Sequence, residues 1–431
     1  MKSTNQSKAR RPTALVLGMG FGGLWAARTL ASGGVNVVVV DRHNFHTFFP
    51  LLYQVGAAEL EPEEIAHPLR KILWKTPNVK IHLADVLDVD FASQRVKITG
   101  QELSYDYLVI GLGSQPNTYG IPGVEENAFT LKSLDQGMVL RNHILRSFER
   151  ASCEKDPEAR RRWLTFTIVG GGPTGVEFAG ALIELVRGSI RKDFPDLDMR
   201  EVQIILVEAL DHLLEGMPRE LGDYARRRLT QMGVDVRTGA QVTQITPLDV
   251  SLKGGVEIPS GTAVWTAGVK GNALLNQWGL PVDRHNQVQV LPTLQSPDHP
   301  EVYVIGDLAH IMQDGHPLPM VAQVGIQTGT AAARNILAQI AHQPLKDFHY
   351  RDKGTLAVIG RNSAAAYIAG RSFTGFPAWL LWLGIHITYL IGFRNRLLVL
   401  IDWAWSYFFF EHGVRLIVPS EPVPEKMGEK V

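Results

Sequence analysis

The sequence holds a single cysteine, Cys153, among 431 residues. That excludes an intrachain disulfide and any redox centre built from two thiols. Neither sign of charge is in excess: Lys+Arg and Asp+Glu both total 43, so the formal net charge is zero. Without a basic surplus there is no electrostatic reason to expect a nucleic-acid partner. The 14 His are scattered and not spaced with Cys, Asp or Glu as metal ligands, so no metal centre is expected. A cleaved export signal is not expected either. Arg10 and Arg11 precede an apolar run, but that run soon meets Gly18, Gly20, Gly22 and Gly23, which suit a phosphate-contacting turn better than a signal-peptide core. The chain is expected to stay in the cytoplasm or to face it. The longest stretch without a formal charge is residues 372–393.

What the chain does contain is one unit written twice. "TALVLGMGFGGLWAARTLASGGVNVVVVD" predicts a buried strand, a glycine-rich turn, a helix, and a second strand ending in Asp41. "LTFTIVGGGPTGVEFAGALIEL…VQIILVE" predicts the same order, ending in Glu208. Short continuous apolar runs such as Ala14 to Leu17 and Phe166 to Val169 are expected of parallel strands covered on both faces. Gly18-x-Gly20-x-x-Gly23 and Gly170-x-Gly172-x-x-Gly175 each supply a tight turn, a close backbone approach to pyrophosphate, and a close helix–strand contact. The helix that follows presents free N–H groups and the positive end of its dipole to phosphate. An acid ending the next strand can accept from a ribose hydroxyl. Asp41 follows Gly23 at close to the usual ~20 residues. Glu208 follows Gly175 at a longer distance, and "RGSIRKDFPDLDMR" is expected to lengthen the helix or its return loop. Two dinucleotide sites are therefore expected, in a chain long enough for roughly two or three domains. A carboxylate at Glu208 repels a 2′-phosphate, so a nicotinamide dinucleotide bound there would be NADH rather than NADPH, while Arg219 and Arg226 to Arg228 fall on the following helix.

A third element, "HPEVYVIGDLA", is a strand running into Gly306-Asp307. It resembles the returning strand of flavoproteins that bind two dinucleotides, where the Asp bonds the ribityl chain of the flavin. That resemblance makes the first unit the FAD site and the second the NAD site. It implies an α/β fold of two Rossmann-like domains, with the NAD(H)-binding domain (116–270) inserted in a split FAD-binding domain (12–115 and 271–342). A C-terminal membrane-associating helical region (343–431) follows. Members of this group that reduce disulfides carry a Cys pair, and those that oxidise sulfide carry several cysteines; neither fits here.

The resemblance narrows to the type II NADH dehydrogenases, the single-chain, non-proton-pumping NADH:quinone oxidoreductases. It runs from Ala14 to about Pro419. "FHTFFPLLYQVGAAELEPEEIAHPLR" (45–70), "GGGPTGVEFAG" (170–180), "AQVGIQ" (322–327, with Gly325 where the family's AQxAxQ motif has Ala) and "DKGTLAVIGR" (352–361) carry it, with the aromatic tail. The resemblance implies an enzyme passing a hydride from NADH to FAD and two electrons on to a membrane quinone. It implies FAD contacts from Gly18, Gly20, Phe21, Gly22, Gly23, Asp41, Arg42, Gly306, Asp307, Ala322 and Gln323. NAD contacts would come from Gly170, Gly172, Pro173, Thr174, Gly175, Glu177, Glu208 and Gly268. Glu177, Gln323 and Gln327 are the expected catalytic residues, and Gln323, Gln327 and Lys353 the quinone contacts.

Physical chemistry leaves some of these roles open. Gln323 and Gln327 lie four apart, so on a helix both amides face one side, offering donor and acceptor to a quinone carbonyl or a quinol hydroxyl. Ordinary polar glutamines at a helix start would look the same. Glu177 at the start of a helix also complements the helix dipole. Lys353 is equally readable as a surface lysine, and His46 as a packed histidine.

The tail, "PAWLLWLGIHITYLIGFRNRLLVLIDWAWSYFFF" (377–410), holds Trp379, Trp382, Trp403 and Trp405 of the nine Trp. Gly375, Pro377, Gly384, His386, Thr388 and Gly392 dilute its hydrophobicity, and Arg394, Arg396 and Asp402 break it. Residues 343–418 carry eight Lys/Arg against four Asp/Glu. Interleaved aromatics and local basicity suit a headgroup boundary. Two interfacial helices hinged around "GFRNR" are expected to attach through residues 373–410 to the bilayer surface. The expectation is a peripheral (monotopic) protein on the cytoplasmic side of the cell inner membrane, with a homodimer compatible with attachment. Two alternatives remain at this point. One is a soluble reductase of a small electron-carrier protein, which would not need the tail. The other is a non-catalytic flavoprotein that signals NADH through partner binding.

Overall fold

A computed structural model describes residues 10–409 and 414–418. Residues 1–9, 410–413 and 419–431 lie outside the described residues, among them Phe410 at the end of the expected lipid-facing segment and the last part of the expected C-terminal region. The chain forms two compact units, one of residues 1–46, 68–115 and 269–352, the other of residues 47–67, 116–268 and 353–431.

The first unit is built on a parallel sheet in the order Val302–Val304, Tyr107–Ile110, Thr13–Leu17, Asn36–Asp41, Val79–Leu83. The central strand is buried from Ala14 to Leu17, as an apolar run covered on both faces must be. It leads through the first glycine loop into the helix Phe21–Ser32. Against that helix lies the helix Ala322–Ile340. Their approach is close because glycines line it: a Cβ on Gly329 would lie 2.1 Å from the Gly22 carbonyl oxygen. Gly325 is different. A Cβ there would meet Gly22 N at 3.4 Å and Phe21 Cβ at 3.5 Å, ordinary contact distances.

The second unit repeats the plan. Its parallel sheet runs Ala128–Thr130, Thr262–Trp265, Thr165–Val169, Gln203–Glu208, Asp235–Thr238, again with the loop-bearing strand in the middle and the acid-ending strand beside it. The helix Pro173–Leu185 carries Pro at its start, where the missing N–H costs nothing. A π turn, Val186–Ile190, and a short helix, Arg191–Asp193, prolong it, which accounts for the long spacing from Gly175 to Glu208. A three-stranded antiparallel sheet, Thr355–Val358, Ala364–Ile368 and Arg371–Thr374, precedes the tail. The tail folds as two helices, Gly375–Tyr389 and Phe393–Phe409, broken at Leu390 to Gly392; of the expected hinge "GFRNR" only Gly392 lies in the break, and Phe393 to Arg396 open the second helix. Arg396 donates back to the carbonyls of Thr388 and Leu390, capping the first helix. Among the described residues no helix is long and apolar enough to cross a membrane.

Two glycines on one helix are thus expected to answer oppositely to a methyl group. Gly329→Ala should destabilise by about 3 kcal/mol or more, because its Cβ has no room against a backbone carbonyl. Gly325→Ala should stabilise by up to about 1 kcal/mol through helix propensity. Denaturation midpoints of the two variants check this; equal shifts would contradict the packing described.

Candidate active site

The two glycine loops share one hydrogen-bond plan. In the first, the Asp41 carboxylate accepts from Met19 N–H at 2.6 Å and His43 N–H at 2.7 Å. In the second, the Glu208 carboxylate accepts from Gly171 N–H at 2.5 Å and Leu210 N–H at 2.8 Å. Met19 and Gly171 occupy the same place, between the first and second glycines. Each strand-end acid therefore fixes its own loop before any ligand enters. Burial pushes the Asp41 carboxyl up, and the two N–H donors pull it back. Arg42 is turned to Asp85 at 3.4 Å on the surface.

The glycines divide by role. Gly18 (φ 87°) and Gly170 (φ 112°) sit in the left-handed region. A Cβ on Gly23 would lie 1.8 Å from Gly18 O, and one on Gly175 1.9 Å from Gly170 O. Those four positions are fixed by the fold. Gly20 and Gly172 are not: a Cβ on either meets nothing within 4 Å. Each is the N-cap of its helix, beside Phe21 in one loop and Pro173 and Thr174 in the other. Open space over a bare backbone at a helix start is what a pyrophosphate needs, so the residues present fit a dinucleotide at both loops.

Within the first unit, Gly306 N–H donates to the Thr328 hydroxyl at 3.0 Å, and the Ser114 hydroxyl donates to the Asp307 carboxylate. Ala322 opens the helix 322–340, placing Gln323 and Gln327 one turn apart. The Gln327 amide is engaged, donating to Arg351 O at 2.9 Å and accepting Arg351 N–H at 3.0 Å. His46 is buried, with Nδ1–H donating to Met19 O at 2.9 Å and its ring edge-on to Phe21.

Within the second unit, Glu177 is 7 % exposed and accepts from Val358 N–H at 3.2 Å and from the Trp382 indole N–H at 3.1 Å. Burial pushes its carboxyl up to about 8, against the pull of those two donors. It borders a cavity of about 80 Å³ lined also by Glu59, Glu184, Arg361, Asp402 and Trp403. Glu184 accepts Arg361 N–H at 2.6 Å. Glu59 is pushed up to about 8 by burial and by the negative charge of Glu184. Gly268 (φ 93°) accepts Asn117 N–H. Lys353 donates to the Tyr389 hydroxyl at 2.9 Å.

The sequence reading did not find Ser114, Thr328, Trp382, Glu59, Glu184 or Arg361. Only Glu184 carried a usable signal, since it follows Glu177 by two helical turns and so shares its face. Among the described residues, no group of three or more His, Cys, Asp or Glu could hold a metal ion.

Residues 12–329 match the pyridine nucleotide-disulphide oxidoreductase family, and residues 353–411 match the NDH2 C-terminal domain. The chain is 38% identical over 427 residues to the type II NADH:quinone oxidoreductase Ndh of Mycobacterium tuberculosis, covering 96% of this chain and 91% of that protein. It is 29% identical over 455 residues to the external mitochondrial NADH-ubiquinone oxidoreductase 2 of Saccharomyces cerevisiae, covering 93% and 81%. Its fold is similar to that of NDH2 from Plasmodium falciparum in complex with NADH, with a TM-score of 0.87 at 19% identity, covering 95% of this chain and 100% of that one.

The raised carboxyls make stability depend on pH. Glu59 and Glu177 have folded values of about 8 against 4.5 when unperturbed. Between those values the folded chain holds protons that the unfolded chain has lost, so stability falls as pH rises through this window and is level above it. Glu59→Gln should make that fall shallower. Urea midpoints across the window test this, and parallel curves for variant and wild type would contradict it.

Proposed function

The chain belongs to the type II NADH:quinone oxidoreductases, and we propose on that basis how its residues divide the work. The enzyme carries electrons from NADH through FAD to a quinone. FAD supplies the redox chemistry, taking a hydride from NADH and yielding two electrons to the quinone. The protein's part is to hold, orient and shield.

In this reading Gly20, at the start of the helix Phe21–Ser32, would hold the pyrophosphate of FAD, with Gly18, Gly22 and Gly23 shaping the turn. Asp41 and Arg42 stand at its ribose. Asp307, oriented by Ser114 and preceded by Gly306, would hold the ribityl chain, and Ala322 and Gln323 would contact the ring. The pyrophosphate of NADH lies over Gly172, beside Pro173, Thr174 and Gly175, with Glu208 at the ribose and Gly268 near the nicotinamide end. The binding domains are taken as residues 12–115 with 271–342 for FAD and 116–270 for NAD(H), with 343–431 as the C-terminal region. What supports this is the open space over the second glycine of each loop, under a carboxylate already bonded to the loop.

Gln323 and Gln327 are proposed to receive the quinone, with Gln327 also pinning the Arg351 peptide, and Lys353 near the headgroup level. Glu177 is proposed as a proton-holding group of the reaction. Phe393, Leu397, Leu400, Ile401, Trp405 and Phe408 are all exposed and recur at helical spacing on the second tail helix. Such an apolar stripe, beside basic residues, supports peripheral attachment to an anionic bilayer surface, and the cytoplasmic side of the inner membrane is the proposed location. A homodimer would form beside or against that same face.

The test is anaerobic. NADH should bleach the flavin of the purified enzyme, and quinone carried in anionic lipid vesicles should restore its absorbance fully. Bleaching without recovery, with soluble short-chain quinone as well, would contradict the quinone reading. Recovery with the soluble quinone alone would contradict attachment.

A further inference from the structure

The tail does more than face outward. On the helix Gly375–Tyr389, Phe376, Leu380 and Leu381 are exposed, while Trp382 is 1 % exposed. Its ring stacks on His386 (centroids 4.1 Å apart) and tilts against Trp403 at 5.4 Å. His386 Nδ1–H donates to the Trp382 carbonyl at 2.7 Å. The indole is thus packed against two rings, and its one polar atom is spent on Glu177. Trp403, from the second tail helix, does the same for Gln54, donating to its amide oxygen at 3.0 Å. The docking of that helix is polar too, since Asn395 donates to the carbonyls of Glu63, Glu64 and Ala66. An apolar anchor needs none of these bonds. A phenylalanine at 382 would keep an aromatic ring there while removing the donor and part of the buried volume.

We propose that Trp382 is a positioning residue for quinone reduction: its indole N–H holds the Glu177 carboxyl in place, so that the tail helices complete the catalytic unit. The inference rests on the proposed role of Glu177 in the reaction. Quinol formation takes two electrons and one proton from NADH and one further proton from water. A carboxyl that passes on that second proton must hold it until it is needed and be refilled afterwards. A hydrogen bond from a neutral N–H favours the ionised form of Glu177 and therefore eases release. The other titratable or charged groups around Glu177 are Tyr53 and Glu59 from the segment before it, Glu184 on its own helix, and Arg361 from the antiparallel sheet. From the tail come His386 and Asp402. Burial holds His386 down at about 4, so it stays neutral where Glu177 titrates.

The experiment follows reoxidation of NADH-reduced flavin by quinone as a function of pH, in stopped flow. Wild type should slow on the alkaline side as Glu177 loses its proton. Glu177→Gln should slow the step by about tenfold or more and flatten the profile, since a general acid contributes at least that much. Trp382→Phe should move the alkaline limb upward by about one pH unit, the worth of a hydrogen bond to a charged group. Adding Trp382→Phe to Glu177→Gln should change nothing more. A limb that Glu177→Gln removes but Trp382→Phe leaves in place overturns the proposal alone. A profile unchanged by Glu177→Gln takes Glu177 out of the reaction, and the proposal with it. A purely structural Trp382 would lower the melting temperature and leave the limb where it was, which also overturns it. If Trp382→Phe does not retain flavin, wild type labelled with fluorinated tryptophan, a stronger donor of nearly the same shape, decides. Its limb must move to lower pH, and an unmoved limb overturns the proposal.

Discussion

The contact on which the architecture turns is small: a carboxylate at the end of one strand, bonded to the N–H between the first two glycines of the neighbouring loop. It occurs at Asp41 with Met19 and again at Glu208 with Gly171. Each bond ties the loop strand to its parallel neighbour at the end where the chain must turn sharply. The glycines can then serve a single purpose each. Four of them avoid collisions with backbone a few ångströms away, and the remaining two leave a helix start open. A phosphate cradle made this way is rigid before its ligand arrives, so little ordering entropy opposes binding. Everything else in the two sheets, from the continuous apolar strands to the parallel register, serves to hold those two carboxylates in place.

The tail obeys a second constraint. An enzyme whose electron acceptor is a quinone must expose apolar surface, yet such a surface cannot by itself choose one seat on the protein. Polar contacts make that choice here. Asn395, Trp382 and Trp403 each place a donor on a specific acceptor inside the second unit, where an unpaired polar group would be costly. The outward stripe of Phe, Leu, Ile and Trp is left exposed. One pair of helices thereby carries two different patterns, apolar outside and selectively polar within.

The sequence was most legible where backbone geometry dictates residue type. Both glycine loops and both acid-ending strands could be read because a turn, a close approach or a buried parallel strand admits few residues; the two-helix tail was legible too, with its break two residues earlier than the expected hinge. The long interval between Gly175 and Glu208 was legible as an insertion, though not as a π turn. Legibility failed where a partner is distant and the side chain is unremarkable in its own segment. Trp382 is one aromatic among many, and hydropathy cannot tell which indole points inward. Gln327 was visible as a helix-face amide, but its bonds to Arg351 depend on an irregular segment returning to that face. Ser114 meets Asp307 only because two strands of one sheet bring remote residues together.

One cradle, written twice, is proposed to serve FAD at the first copy and NADH at the second. The most direct measurement adds a single methyl group to each open glycine and follows bound flavin and NADH dependence separately. Gly20→Ala should purify with little flavin. Gly172→Ala should keep its flavin while requiring far more NADH to bleach it, since a Cβ there obstructs only the incoming pyrophosphate. The reverse pattern, with flavin lost from Gly172→Ala and NADH dependence altered in Gly20→Ala, would contradict the assignment of both loops.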